Sequence, residues 1–234
     1  MLLKGRLIQM LKTKNNKEDS EESKEVISLA DLQMAAAANT PEPLRTIGLF
    51  GDLDEEKVED VCSGLLFLKH TALVNTDFPL GTPEKIKEGE EPPKPRPKPI
   101  TFYVSTWGGD ALGMFGIYDL MRIVREECPI ETFGLGKVMS AGVLLLAAGT
   151  KGQRKIGKHC RVMMHSVRGG HVGTIHSLEN EMEETRWIQK QHIQALVEET
   201  KLTERQLKKM LNKNLDVYLT AEEAVKYGIA DIIV

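Results

Sequence analysis

The sequence predicts an α/β fold. Segments of strand and helix character alternate along residues 46–234, as in a sheet whose strands are joined by helices. Hydrophobic residues make up 41% of the 234 residues and aromatic residues only 5%, so the core is expected to be mainly aliphatic. Glycine, proline and helix-capping residues stand between the segments and indicate where each one begins.

Two regions are predicted to lie apart from this domain. Residues 1–45 are predicted to form an N-terminal arm that is partly mobile, because residues 14–25 are densely charged and poor in apolar side chains. A second break falls at about residues 75–99, which hold seven of the ten prolines. Proline disfavours helix and cannot donate to a sheet ladder, so this segment is predicted to be an extended, solvated insertion. The remainder, residues 46–234, is predicted to be one domain.

The first half of the domain contains two predicted strand–helix pairs. Residues 45–50 are predicted to be a buried strand, and Asp54 is predicted to be the N-cap of a helix whose apolar residues recur at helical spacing as far as Leu68. The second pair is predicted as a strand at 100–104, a turn at 105–109 and an amphipathic helix at 111–125.

The second half is predicted to alternate in the same way, and two of its helices begin with capping boxes. In the segments TERQ, at 203–206, and TAEE, at 220–223, a threonine is followed three residues later by Gln or Glu, so that the two side chains can satisfy each other's backbone N–H groups. The remaining predicted elements are strands at 130–135, 153–155, 161–164 and 230–234 and helices at 140–148 and 178–200.

Composition argues against several classes of function. The net charge is −3, so the chain lacks the excess positive charge that nucleic-acid binding requires. The longest apolar run, residues 141–148, is far shorter than the ~20 residues that span a bilayer. Cys62, Cys128 and Cys160 are odd in number and widely spaced, which favours a reducing compartment over disulfides or a zinc site. A cytoplasmic location is expected, and organellar import stays open because residues 1–14 are basic and amphipathic.

Ser140 is a candidate nucleophile. It lies between a predicted strand and a very apolar helix, in the sequence GKVMSAG of residues 136–142. At such a helix start the hydroxyl is exposed, and neighbouring N–H groups can stabilise an oxyanion. The alternative is an ordinary serine N-cap, which is the commoner use of such a residue. Val138 stands where the nucleophile elbow G-x-S-x-G has its first glycine, so that motif is absent.

His165 is a candidate general base. It follows the predicted strand at 161–164, and an imidazole exchanges protons near neutral pH. A structural histidine in the core or on the surface is the alternative, and spacing along the chain does not choose among the histidines. The competing positions are His70, His159, His171, His176 and His192.

Two glycine-rich segments are candidates for close contact with a substrate. Gly108 and Gly109 follow a predicted strand and would let the backbone approach a ligand, with a simple tight turn as the alternative. Residues 168–173, RGGHVG, are predicted to be a flexible strand whose exposed backbone can pair with an extended chain. Neither segment has the spacing of a phosphate-binding loop.

Taken together and in this order, the motifs resemble the proteolytic subunit of the Clp protease, the ClpP family of serine peptidases. The resemblance covers about residues 45–234 and is interrupted by the proline-rich segment. It rests on GG at 108–109, MSAG at 139–142, VMMH at 162–165, DVYLTA at 216–221 and EEAVKYGIAD at 222–231.

The resemblance implies a role for each matching residue. Ser140 corresponds to the nucleophile, His165 to its base and Asp216 to the acid that orients the base. The backbone N–H groups of Gly109 and Ala141 correspond to the oxyanion hole. The substrate-binding positions that match the family are Gly108, Gly169, Gly170, His171, Val172 and Gly173.

The resemblance also implies the architecture and the partners. The expected fold is ClpP/crotonase-like, with stacked β-sheets flanked by helices and a protruding handle helix at 178–200. The expected assembly is two stacked heptameric rings, either of this chain alone or mixed with related subunits. An AAA+ unfoldase ATPase is the expected partner and unfolded polypeptides are the expected substrates, with no cofactor and no metal in the subunit.

The chain departs from the family pattern at several positions, and two alternative functions stay open. The departures are Trp107 in place of Pro, Ala141 in place of Met, Ser166-Val167 in place of Gln-Pro, and Asn214-Leu215 in place of an acid–Arg pair that couples the rings. One alternative is a noncatalytic subunit that helps to build a mixed ring. The other is an acyl-CoA hydratase or isomerase on the related crotonase fold, against which the matching Ser, His and Asp positions argue.

Overall fold

The structure is a computed structural model that describes residues 44–72, 97–211 and 215–234. The predicted arm at 1–45 and the predicted insertion at 75–99 lie outside these residues, apart from positions 44–45 and 97–99. The elements are β1 (Thr46–Leu53), α1 (Glu55–Thr71), β2 (Ile100–Gly109), α2 (Ala111–Glu127), β3 (Ile130–Met139), α3 (Ala141–Ala147), β4 (Lys155–Ile156), β5 (Arg161–Met164), α4 (Ile175–Glu199), α5 (Glu204–Leu211), β6 (Val217–Leu219), α6 (Ala221–Lys226) and β7 (Ile232–Ile233).

The described strands join in one branched sheet. The main path runs β1-β2-β3-β4-β7 with every neighbouring pair parallel. The first half of β3 pairs with β4 at Phe133 and Gly134, and its second half pairs with β5 from Lys137 to Met139. β6 then adds to β5 in the antiparallel sense. The predicted α/β class is confirmed. Hydrogen bonds along the two halves of β3 join all seven described strands into one branched sheet.

The helices supply most of an aliphatic core, as the composition predicts. Helix α3 is buried along its whole length and packs on β2 and β3. Helices α1 and α2 pack against each other, and α1 also covers β1. Phe102 is the one aromatic residue among the largest fully buried side chains of the described chain, and the others are Leu, Ile and Met.

The three helix starts predicted from capping residues are confirmed. The Asp54 carboxylate accepts a hydrogen bond from the N–H of Lys57 at 2.9 Å. In the first capping box the N–H of Thr203 donates to Gln206 Oε1 at 2.9 Å, and the N–H of Gln206 donates to Thr203 Oγ1 at 3.3 Å. The reciprocal pair at 220 and 223 is also present. These caps satisfy N–H groups that have no partner inside the helix.

Several strand boundaries differ from the prediction. The segment at 105–109, predicted to be a turn, continues β2, because β1 hydrogen-bonds along it as far as the pair Leu53–Gly109. The strand predicted at 130–135 likewise continues to Met139, where β5 pairs with it. The other strands whose boundaries shift are observed as Thr46–Leu53 rather than 45–50, as Lys155–Ile156 rather than 153–155 and as Ile232–Ile233 rather than 230–234. Pairing with strands distant in the chain therefore sets these ends, and the small and polar residues near them do not predict where the strands stop.

Helix α4 is the predicted handle. It begins three residues earlier than expected and ends one residue earlier, at Ile175–Glu199, with Thr174 as its N-cap. None of its residues before His192 is buried, whereas His192, Ile193, Ala195, Leu196 and Glu199 are. The helix is therefore held to the domain by its last two turns, and its earlier turns are exposed.

Candidate active site

A pocket of about 260 Å³ opens where three parallel strands end. Gly109 ends β2, Ser140 directly follows β3, and His165 directly follows β5. The carboxyl ends of parallel strands are the usual place for a site in α/β proteins. The pocket is lined by Trp107, Gly109, Ala111, Met114, Ser140, Ala141, His165, Val167, Arg168 and His192.

Ser140 occupies a strained backbone conformation. Its φ is 53° and its ψ is −119°. Among the residues that the structure describes, it is the only one other than glycine with a positive φ. Such a conformation costs roughly 1–3 kcal/mol and is often found at active sites. Its hydroxyl makes no capping hydrogen bond to α3, so the N-cap alternative finds no support. The backbone N–H of Ser140 donates to the carbonyl oxygen of Met163 at 2.8 Å, which ties the turn to β5.

Two glycines allow the backbone of β2 to approach this turn. A Cβ on Gly108 would lie 2.5 Å from Ser140 Cβ and 3.0 Å from Ser140 Oγ. A Cβ on Gly109 would lie 2.1 Å from the carbonyl oxygen of Leu53. Both glycines also have positive φ, which side chains disfavour. The pair is therefore required by geometry, and it brings the end of β2 beside the serine.

His165 is held in one tautomer by its own loop. Its Nδ1 lies 2.6 Å from the carbonyl oxygen of Ser166. A carbonyl oxygen only accepts hydrogen bonds, so Nδ1 carries the proton and Nε2 keeps its lone pair. This is the tautomer that a general base acting through Nε2 needs.

No hydrogen bond joins Asp216 to His165 in the part of the chain that the structure describes. It lies just before β6, and its carboxylate accepts a hydrogen bond from the guanidinium of Arg168. The resemblance implies a bond from His165 to Asp216, and that implication is not met here, because the histidine is bonded to Ser166 and the acid to a nearby cation. The structure thus brings Ser140, His165, Gly109 and Ala141 to one pocket and leaves Asp216 on Arg168, which also lines it.

The predicted substrate strand lies outside the strands of the sheet. Residues 169–173 are exposed and have no ladder partner in the described chain, and His171 Nε2 lies 2.6 Å from Ser177 Oγ. Unpaired and exposed backbone is what strand addition needs. Pairing of this segment with a substrate stays a prediction. The residues concerned are Gly169, Gly170, His171, Val172 and Gly173.

Comparison with known protein families matches residues 93–234 to the Clp protease family. The chain belongs to the Clp protease family. It is 28% identical over 190 residues to ATP-dependent Clp protease proteolytic subunit 1 of Corynebacterium jeikeium, covering 81% of this chain and 87% of that protein. It is 37% identical over 134 residues to proteolytic subunit 1 of Salinibacter ruber, covering 57% of this chain and 56% of that protein.

A third relative belongs to a numbered set of Clp subunits. The chain is 36% identical over 135 residues to ATP-dependent Clp protease proteolytic subunit 4 of Rhodococcus jostii, covering 58% of this chain and 68% of that protein. The predicted resemblance to the ClpP family is thereby confirmed. Clp proteases are peptidases, and all three of these relatives are named as proteolytic subunits.

In this Clp protease family member, His192 is a residue of the site that sequence reasoning did not select. It lies in the buried end of α4, is 6% exposed, and lines the pocket with Ser140 and His165. Burial and the nearby charge of His165 lower the pKa of His192 to about 4. Its Nε2 has no hydrogen-bond partner among the described residues. The available signal was a histidine within an apolar helix face, four residues before Leu196.

The loop after His165 is fixed to α4. The backbone N–H of Val167 donates to Gln189 Oε1 at 2.6 Å, so the residues between His165 and Arg168 are held against the helix that carries His192. On the open side of the pocket Trp107 is 58% exposed, with the Lys137 ammonium 5.0 Å from its ring centroid. This tryptophan, noted as a departure from the family, is thus a wall of the pocket.

The described residues show neither a metal site nor a membrane-spanning helix. No group of three or more His, Cys, Asp or Glu side chains there is arranged to hold a metal ion. No helix there is both long enough and apolar enough to cross a bilayer. All three cysteines are free thiols, and burial raises the pKa of Cys160 to about 11.

Proposed function

We propose that this chain is a serine endopeptidase subunit of a chambered, ring-shaped Clp protease that degrades unfolded proteins and peptides. One observation carries the proposal. Ser140, on a strained turn, lines the same pocket as His165, whose tautomer leaves Nε2 free, and Gly109 and Ala141 line that pocket with them.

The proposed reaction is acyl transfer through Ser140. Its Oγ attacks the carbonyl carbon of the scissile peptide bond while His165 Nε2 takes the hydroxyl proton. The backbone N–H groups of Gly109 and Ala141 stabilise the oxyanion that forms. The C–N bond then breaks as the imidazolium gives its proton to the leaving amine. Water attacks the acyl-enzyme in the same manner, releasing the carboxylic acid and restoring Ser140.

The proposed role of Asp216 depends on its release from Arg168. The carbonyl of Ser166 fixes the tautomer of His165, but a neutral carbonyl stabilises the imidazolium less than a carboxylate does. In the proposal, Asp216 takes over from Ser166 when the subunit is in its active assembly. The ion pair with Arg168 is partly solvated, with side chains 66% and 31% exposed, so its exchange costs little.

The proposed assembly is two stacked heptameric rings, formed by this chain alone or mixed with related subunits. Exposed apolar residues on the outer turns of α4 support contact with other subunits, because such a surface is unusual on a monomer. They are Ile175, Leu178 and Met182, whose spacings of three and four residues place them on one face of the helix. The relatives are named as proteolytic subunits of an ATP-dependent protease, which supports an AAA+ unfoldase as partner. The proposed location is the cytoplasm.

A second candidate function is a noncatalytic subunit of a mixed ring. The observation that favours it is the pairing of Asp216 with Arg168, which leaves the candidate triad without its acid. In that case the chain would contribute wall and contact surface, and a related subunit would cut the substrate. No observation supports the acyl-CoA hydratase or isomerase alternative, and the match to the Clp protease family argues against it.

The test is labelling with a fluorescent fluorophosphonate, which reacts only with an activated serine. The full chain is fractionated by size, and each fraction is labelled. Labelling of the large assembly is expected, Ser140→Ala is expected to abolish it without loss of assembly, and His165→Ala is expected to be nearly as severe. His176→Ala, at an exposed histidine that does not line the pocket, is the matched control and should label normally. An intact assembly that does not label supports the noncatalytic function instead.

A further inference from the structure

The segment of residues 166–168 bonds to both the base and the acid of the candidate triad. The carbonyl oxygen of Ser166 accepts a hydrogen bond from His165 Nδ1 at 2.6 Å. Two residues later, the guanidinium of Arg168 pairs with the Asp216 carboxylate. Nδ1 carries a single proton, so His165 cannot bond Asp216 through it while it donates to Ser166.

Between these two contacts, one side chain ties the segment to helix α4. The N–H of Val167 donates to Gln189 Oε1 at 2.6 Å, a short bond between residues 22 positions apart in the chain. None of the residues of α4 before His192 is buried, so Gln189 lies in the part of the helix that is not packed into the core. The bond therefore joins the outer part of α4 to the segment that follows His165.

Stability alone does not explain the choice of glutamine at this position. The Nε2 atom of Gln189 is buried and has no hydrogen-bond partner among the described residues, and an unpaired buried amide group costs free energy. The amide cannot be turned over, because its NH2 group would then face the N–H of Val167, donor against donor. An apolar side chain of similar length would avoid this cost but would not hold the segment.

We propose that Gln189 is a positioning residue whose bond to the segment 166–168 keeps His165 from pairing with the acid of the candidate triad. This inference rests on the proposed function, in which Asp216 takes over from Ser166 in the active assembly. It names the contact that has to open before that exchange occurs. Gln189 acts through the backbone of the segment and does not line the pocket that holds Ser140.

Of the contacts of the segment, the one to Gln189 is expected to limit the exchange. The pair of Arg168 with Asp216 is partly solvated and opposes the exchange only weakly. The bond from His165 to a neutral carbonyl is weaker than a bond to a carboxylate would be once the imidazole takes up a proton. The bond to Gln189 is partly buried, so water competes with it less than it does at the surface.

The test measures the rate of fluorophosphonate labelling at Ser140 in the assembled full chain. Gln189→Met keeps the length of the side chain and removes the acceptor. Val167→Pro removes the donor, and proline is the residue that the family pattern has at this position. Each is expected to raise the rate about two- to tenfold, which is the shift in an equilibrium that follows the loss of one ordinary hydrogen bond. The double variant should gain no more than either single variant, because both break the same bond.

Three further variants separate this role from a general loosening of the helix. Gln189→Glu keeps an acceptor for the N–H of Val167 and should label at the wild-type rate. Gln194→Met makes the matched substitution at an exposed glutamine of the same helix and should also label at the wild-type rate. When Asp216→Asn is present, Gln189→Met should no longer raise the rate, since the gain requires the carboxylate.

The outcomes distinguish the inference from the proposed function. A wild type that labels at Ser140 beside a Gln189→Met variant that labels no faster overturns the inference alone, as does a gain that persists with Asp216→Asn. If neither the wild type nor either single variant labels, the proposed function is overturned, and the inference with it. A wild type that does not label beside a Gln189→Met variant that does supports both. If Gln189→Met does not fold, Val167→Pro with and without Asp216→Asn decides the question.

Discussion

Two buried residues on one face of α4 have opposite surroundings. His192 and Glu199 are seven residues apart, two turns along the helix, and they are 6% and 2% exposed. The Glu199 carboxylate lies 2.5 Å from the Arg125 guanidinium and 2.8 Å from the Lys151 ammonium, and it accepts a hydrogen bond from the Tyr118 hydroxyl at 3.2 Å. His192 has no partner at Nε2 within the described chain.

The same contrast extends to the ion pairs around each residue. Next to Glu199, the buried Arg154 donates to the carbonyls of Ala147 and Glu199 and pairs through two nitrogens with Asp231. Next to the pocket, Arg168 and Asp216 form a single, partly solvated pair. Burial makes the first group of contacts expensive to break and the second cheap. The end of α4 at Glu199 is thus held by a buried polar network, whereas the pocket beside His192 is bordered by one partly solvated ion pair.

The largest expected effect comes from breaking the anchored end. Arg154→Met leaves the Asp231 carboxylate without its cation and two carbonyls without their donor, so we expect the free energy of unfolding to fall by about 3–5 kcal/mol. Urea unfolding at fixed protein concentration measures it. A loss below about 1 kcal/mol would show that the buried network does not anchor the helix.

The next effect is a dependence of the free energy of unfolding on pH that arises from His192. An unfolded chain protonates His192 near the ordinary value of 6.5, but the folded chain does so only near 4. Its contribution to stability is therefore complete above pH 6.5 and is lost as the pH falls from 6.5 to 4. The loss is about 3 kcal/mol.

Urea unfolding at several pH values measures this loss, and His192→Met should lack it over that window. The charge that faces His192 across the pocket is that of His165, which is retained in the variant. Equal slopes for the wild type and the variant between pH 4 and 6.5 would contradict the prediction.

A smaller effect is expected from the strained turn. Ser140→Gly and Ser140→Ala both remove the hydroxyl, but only glycine adopts a φ of 53° without strain. We expect Ser140→Gly to be more stable than Ser140→Ala by about 1 kcal/mol, with both inactive. Thermal or urea unfolding of the two variants side by side provides the measurement. Equal stability would mean that the turn stores no strain.

The smallest effect on stability is expected from the exposed pair. Arg168→Met should change the free energy of unfolding by less than about 1 kcal/mol, because the pair is partly solvated. It should nevertheless raise the rate of fluorophosphonate labelling at Ser140 severalfold, since Asp216 becomes free to orient His165. The double variant Arg168→Met with Asp216→Asn should lose this gain. A labelling rate that does not respond to Arg168→Met would remove the proposed exchange of Asp216 between partners.

Much of the fold was predictable because it depends on local interactions. The caps at Asp54, Thr203 and Thr220 and the handle helix follow from side chains within one or two turns of one another. The predicted ends of β2 and β3 were wrong, because pairing with neighbouring strands decides where these strands end. Residues 105–109 look like a turn, yet β1 pairs with them through to Gly109. Gly136, with φ 62°, similarly lies within β3 rather than ending it.

The candidate site was predictable in part. Ser140, His165, Gly109 and Ala141 were selected from their motifs, and the structure places them around one pocket. The sequence could not show that Ser140 would lie on a strained turn, since the elbow motif is absent. Nor could it show the partner of Asp216, because the choice between His165 and Arg168 depends on how β6 docks beside β5.

By itself the sequence determined the α/β alternation, the helix starts marked by capping residues and the family, because these depend on short motifs and on the spacing of apolar residues. Only the tertiary structure decided which histidines meet Ser140. His165 lies at the end of β5, and His192 lies on α4, which packs on α3. Contacts between residues far apart in the chain depend on strand order and helix docking, which no local pattern specifies.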